Sequence, residues 1–118
     1  MDRRVRQTID RIDEQLHRHL TVSELAERVS ISVAQLTRLF RRATGLTPGA
    51  FLRARRMERA RILLERTSLP VSDVMAQVGI TDRSHFARDF SREYGASPRG
   101  FRLERQLARG GHARAADL

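Results

Sequence analysis

Apolar positions recur at helical spacing along most of the chain. Val5, Ile9, Ile12 and Leu16 stand three or four residues apart with Arg and Asp between them, which predicts an amphipathic helix over residues 3–18. Thr21 and Glu24 then have the spacing of a capping box, opening a short helix with Val22, Leu25, Ala26 and Val29 inward. Ser32 and Gln35 repeat that spacing ahead of a second helix, in which Leu36, Leu39, Phe40 and Ala43 face the core and after which Gly45 is the stop. Thr47-Pro48 is a further helix start, and "PGAFLRARRMERARILLER" runs on without a breaker, with Phe51, Leu52, Met57, Ala60, Leu63 and Leu64 roughly on one side. "TSLP" interrupts it. A short helix from Val71 to Val78, a turn, a second helix from Asp82 to Tyr94 and a start at Ser97-Pro98 follow. Beyond Gln106, "LARGGHARAADL" loses the period, which predicts a frayed, flexible tail. The fold class is all-α, in four parts: 1–47, a linker helix over 48–67, 68–106, and the tail 107–118.

The second part restates the first. Val22 and Val71 are 49 residues apart, as are Ile31 and Ile80, whereas Phe40 and Phe90, Gly45 and Gly95, Pro48 and Pro98, and Phe51 and Phe101 are 50 apart. One residue is gained inside the turn, where loops tolerate insertion. A short helix, a tight turn and a helix of about three turns has the form of a helix-turn-helix, whose second helix lies in the major groove of DNA.

Charge agrees with that form. The 118-residue chain has a formal net charge of +9 and a pI near 11.6, and its basic residues are all arginine. Arginine binds phosphate bidentately and releases counterions, so double-stranded DNA is the expected partner. With no Cys there is neither a disulfide nor a thiolate metal site, and His17 and His19, two residues apart, diverge on a helix rather than converge on a metal. No pattern asks for a cofactor, and catalysis is not expected. No apolar leader and no apolar run of bilayer length is present, so no membrane partner is expected and the cytoplasm is the default location.

With Leu36, Leu39, Phe40 and Ala43 inward, the opposite face of the first reading helix carries Ala34, Thr37, Arg38 and Arg41. With Phe86, Phe90 and Tyr94 inward, the second carries Arg83, Ser84, Ala87, Arg88 and Ser91. Arg38 and Arg88 are equivalent by the 50-residue offset. Arg suits O6 and N7 of guanine, Thr and Ser can donate or accept at base edges, and Ala can touch a thymine methyl. Ala34, Thr37, Arg38, Arg83, Ser84, Ala87 and Arg88 are therefore the expected base readers. Arg41, Arg42 and Arg92, with the hydroxyls of Ser32 and Thr81, are the expected phosphate contacts. The connecting helix, 48–66, spans roughly 28 Å at about 1.5 Å per residue, close to the ~34 Å between successive major grooves on one side of B-DNA. Two heads on one chain then replace a dimer, and their unlike faces predict an asymmetric site.

These residues carry a family resemblance. "ELAERVSISVAQLTRLFRRATGLTP" and "RILLERTSLPVSDVMAQVGITDRSHFARDFSREYGASPRGFR" resemble the DNA-binding domain of the AraC/XylS transcription regulators from about Leu20 to Arg105. Ala76, Val78, Gly79, Asp82, Ser84, Phe86, Arg88, Phe90, Gly95, Ser97, Pro98, Phe101 and Arg102 meet the second-unit pattern. The resemblance implies seven helices in two helix-turn-helix subdomains joined by a linker helix, and gives base-reading roles to the same seven positions. Ile80 stands where Phe is usual and Phe101 where Tyr is common, apolar exchanges that bear on packing. It also implies a small stand-alone member acting as a monomer, or else an isolated domain of a larger regulator, with RNA polymerase as a further partner. The alternative is an interaction module that docks on polymerase or another regulator with little DNA contact.

Overall fold

The computed structural model describes the backbone of residues 1–117 and the side chains of residues 1–110. All regular structure among them is helical: α1 (Arg3–Glu14), α2 (Val22–Arg28), α3 (Val33–Thr44), α4 (Pro48–Arg66), α5 (Val71–Gln77), α6 (Arg83–Tyr94) and α7 (Pro98–Asp117). Two compact units divide the chain, Met1–Arg56 and Met57–Leu118, so α4 gives its first half to one and its second half to the other.

In the first unit, Val5, Ile12, Leu16, Leu25, Ala26, Leu36, Phe40 and Leu52 form one buried cluster. Each large side chain so buried contributes roughly 1.5–3 kcal/mol of transfer free energy. Phe40 is fully buried and meets Phe51 edge to face at 5.5 Å. Thr8 shares the inner face of α1, where its hydroxyl donates to the Arg4 carbonyl at 2.8 Å, so burial leaves no orphaned polar atom. The helix ends at Glu14, four residues before the expected end at residue 18. Leu16 reaches the core from the turn that follows.

The second unit buries Ala60, Leu64, Val74, Met75, Val78, Phe86, Phe90 and Phe101. Phe90 is its hub, 5.6 Å from Phe86, 4.7 Å from Tyr94 and 5.4 Å from Phe101, ring centroid to centroid. Phe40 and Phe90 are thus equivalent in packing as well as in offset. The turns match too. Ile31 N–H reaches back to the Ala26 carbonyl at 3.1 Å and Ile80 N–H to the Met75 carbonyl at 2.9 Å, while Ser30 (φ 58°) and Gly79 (φ 74°) take the left-handed conformation that the reversal requires.

One expectation changes. Ala43 is exposed rather than inward, because Leu36 and Phe40 already fill the seam and a methyl one turn further on lies beyond the core's edge. Over the stretch expected as a tail from residue 107, the backbone of α7 runs on as helix to Asp117; Leu118 lies outside the described residues.

Candidate nucleic-acid interface

The two reading helices are fixed at their starts by side chains. At α3, Ser32 Oγ accepts from Gln35 N–H at 3.1 Å and Gln35 Oε1 accepts from Ser32 N–H at 3.1 Å, a complete capping box. At α6 the cap is Asp82, which accepts from His85 N–H at 2.9 Å. That bond holds the Asp82 carboxyl below its ordinary range. Thr81 is consequently the inserted residue, and the partner of Ser32 in the repeat is Asp82. Both helices end at glycine in the left-handed conformation, Gly45 and Gly95, each at φ 79°.

Every expected base reader reaches solvent. Ala34, Arg38, Arg83, Ser84 and Arg88 are exposed, and Thr37 and Ala87 are half-buried at the edge of their faces. The expected phosphate contacts Ser32, Arg41, Arg42, Thr81 and Arg92 are exposed as well. Ser32 differs from the rest in that both its N–H and its hydroxyl are already engaged by Gln35. Arg92 lies 3.9 Å from Asp89, a loose surface pair worth little against a phosphate.

The arginines divide into two populations. Arg55 stacks 4.8 Å over Phe51 and pairs with Asp13, and Arg56 donates to the Arg18 carbonyl at 2.8 Å. Arg61 pairs with Glu65 at 2.9 Å. Arg102 donates to the carbonyls of Leu64 and Leu69, and Arg109 to that of Glu65. These hold the fold. Among the described residues, Arg38, Arg41, Arg42, Arg83 and Arg88 of α3 and α6 make no side-chain hydrogen bond or ion pair, and the same holds for Arg3, Arg6, Arg28, Arg53, Arg59, Arg66 and Arg99 on other helices. Unpaired guanidinium groups keep their donors for a partner.

The second unit adds residues that the reading-face argument did not single out. An open cleft of about 400 Å³ beside Arg83 is lined by Ser72, Arg99, Arg102 and Gln106, with Pro70, Val71 and Leu103. No carboxylate lines it. Its arginines come from the starts of α6 and α7, distant in sequence, so helical periodicity within one element could not group them. Among the described residues no group of His, Asp and Glu is arranged to hold a metal ion.

Helix count, turn geometry and free arginines are those of a doubled helix-turn-helix. A family model described as a helix-turn-helix domain matches residues 25–104. The arabinose operon regulatory protein of Salmonella typhimurium is 34% identical over 103 residues, covering 86% of this chain and 37% of that one. The chain belongs to the AraC/XylS family. The HTH-type transcriptional activator RhaS of Escherichia coli is 38% identical over 81 residues, 69% of this chain and 29% of the relative. The chain therefore spans about a third of the length of the curated relatives it matches. Among solved structures, the DNA-binding domain of AdpA in complex with a target DNA has a TM-score of 0.87 at 28% identity, covering 92% of this chain and 98% of that one. An AraC-type regulator from Chromobacterium violaceum has a TM-score of 0.79 at 25% identity, with 86% and 91% covered.

Proposed function

We propose that the protein binds double-stranded DNA sequence-specifically and regulates transcription, with α3 and α6 as the two major-groove readers. The observation that carries this is the free guanidinium at equivalent positions, Arg38 and Arg88, on the outer faces of two capped helices that each follow a short helix and a tight turn. The AdpA domain, which is similar throughout, is seen on a target DNA. Ala34, Thr37, Arg83, Ser84 and Ala87 complete the base-reading set. Ser32, Arg41, Arg42, Thr81, Arg92 and, from the cleft, Arg99 contact phosphates. The two heads take successive major grooves of one duplex, so a monomer suffices. RNA polymerase is the second partner, and the cytoplasm is the location; none of the described helices is long and apolar enough to cross a membrane.

The test is binding by fluorescence anisotropy to duplexes selected from a randomised pool, compared with random duplex across a salt series. Arg38→Ala and Arg88→Ala are each expected to cost about 1–3 kcal/mol on the selected duplex and to relax preference at one separate position. Equal affinity of the wild-type chain for selected and random duplex at every salt concentration removes this reading. Unchanged binding by both variants would favour the docking-module alternative.

A further inference from the structure

The tips of the two reading helices carry opposite chemistry at matched positions. Val33 and Ala34 open α3 where Arg83 and Ser84 open α6, and all four are exposed. Val33 keeps 42% of its surface in water, among the few large apolar side chains left there. It stands outside the buried cluster of its unit and takes no part in the Ser32–Gln35 box. A β-branched residue adds nothing to helix propensity either. Local stability therefore gives no account of Val33. Its place does, because the first residues of a recognition helix are the ones that meet base edges. Thr37, one turn further on, carries the same edge into the reading face.

We infer that the tip of α3 reads thymine C5 methyl groups with Val33 and Ala34, whereas the tip of α6 reads guanine with Arg83, so that the two halves of the operator differ, thymine against guanine, at the positions the helix tips meet. This rests on the DNA-binding reading above and adds the chemistry of each half-site. The thymine methyl is the apolar group that the major groove displays, and the paired acceptors O6 and N7 mark guanine there. Covering one methyl group between apolar side chains changes affinity about four-fold.

The experiment begins from the duplexes enriched out of a randomised pool by the full chain. A pool that yields no enriched duplex overturns this inference together with the reading beneath it. On an enriched duplex each thymine is replaced in turn by deoxyuridine, which removes the methyl group and leaves Watson–Crick pairing intact. One or two adjacent thymines in one half should each lose about four-fold. In Val33→Ser that loss should vanish at one of them, and Val33→Arg should move the preference there from thymine to guanine. Uridine tolerated at every position by the wild-type chain, or a loss of equal size in wild type and Val33→Ser, overturns the inference while leaving sequence-specific binding in place. The uridine scan on the wild-type chain needs no variant, so it decides the matter even if a substitution disturbs folding.

Discussion

Arg102 offers the sharpest test of how the second unit is held. Its Nε donates to the Leu64 carbonyl at 3.1 Å and its Nη1 to the Leu69 carbonyl at 2.5 Å. Leu64 is among the last residues of α4, whose final carbonyls have no partner within the helix, and Leu69 lies in the connection to α5. Thr67 and Arg109 serve the neighbouring carbonyls of Leu63 and Glu65. Arg102 thus fastens α7 to the end of α4 and to the loop beyond it, with its positive charge at the negative pole of that helix. Hydrogen bonds from a charged donor contribute about 1.5–3 kcal/mol each. The third nitrogen, Nη2, is buried without a partner, which offsets part of that gain.

Arg102→Met keeps the aliphatic stem and removes both bonds, and is expected to cost roughly 2–3 kcal/mol after that offset. With a urea m-value of about 1–3 kcal/mol/M, the midpoint of unfolding followed by circular dichroism should fall by about 1–2 M. Arg102→Lys should recover less than half, because one ammonium cannot span two carbonyls as a planar fork does. Full recovery by Lys, or a loss below about 0.5 kcal/mol in Arg102→Met, refutes the two-point clasp.

Three further outcomes follow from single residues. Arg99→Gln should weaken binding to all duplexes alike and reduce the slope of log affinity against log salt by about 0.9; a changed base preference would show that Arg99 reads sequence instead. Asp82 has its carboxyl lowered chiefly by the bond from His85 N–H, so its cap stabilises the fold above the unfolded carboxylate value of about 4 and loses that contribution as pH falls through the lower folded value. Melting temperature should therefore fall more steeply in acid for wild type than for Asp82→Asn, and parallel profiles would contradict the cap. Gly95→Ala should cost about 1 kcal/mol from the left-handed backbone alone, since nothing lies within 4 Å of the added methyl; a neutral result in urea denaturation would refute that account.

Features set by one segment of chain could be read in advance. Capping at Ser32–Gln35, the glycine stops at 45 and 95, the fully buried Phe40 and Phe90 and the 50-residue register all follow from local spacing. Features that depend on a distant partner could not. Arg55, Arg56 and Arg102 look in the sequence like the arginines of α3 and α6, and only their neighbours, Phe51 and Asp13, the Arg18 carbonyl, and the Leu64 and Leu69 carbonyls, make them structural. The +9 charge expected to serve a nucleic acid is therefore carried partly by residues already committed to the fold. Thr8 breaks the apolar pattern with a polar side chain, although its bond to the Arg4 carbonyl makes burial inexpensive.

The repeat is preserved in its frame and broken on its surface. Leu25 and Val74, Leu36 and Phe86, and Phe51 and Phe101 keep matched packing positions, whereas Val33 faces Arg83, Gly49 faces Arg99 and Leu52 faces Arg102 across the offset. The last of these pairs has a structural reason: Leu52 is buried in the first core, while Arg102 reaches out to hold the end of α4. The other two place guanidinium groups on the second unit at residues with no part in packing, although the first unit, residues 1–56, carries the larger share of the formal charge. In the proposed complex the first unit, with its apolar tip, contributes more of the discrimination among bases that differ by a methyl group. The proposed asymmetry of the operator therefore rests on the first of these pairs, since Arg102 serves the fold and a phosphate contact by Arg99 carries no base preference.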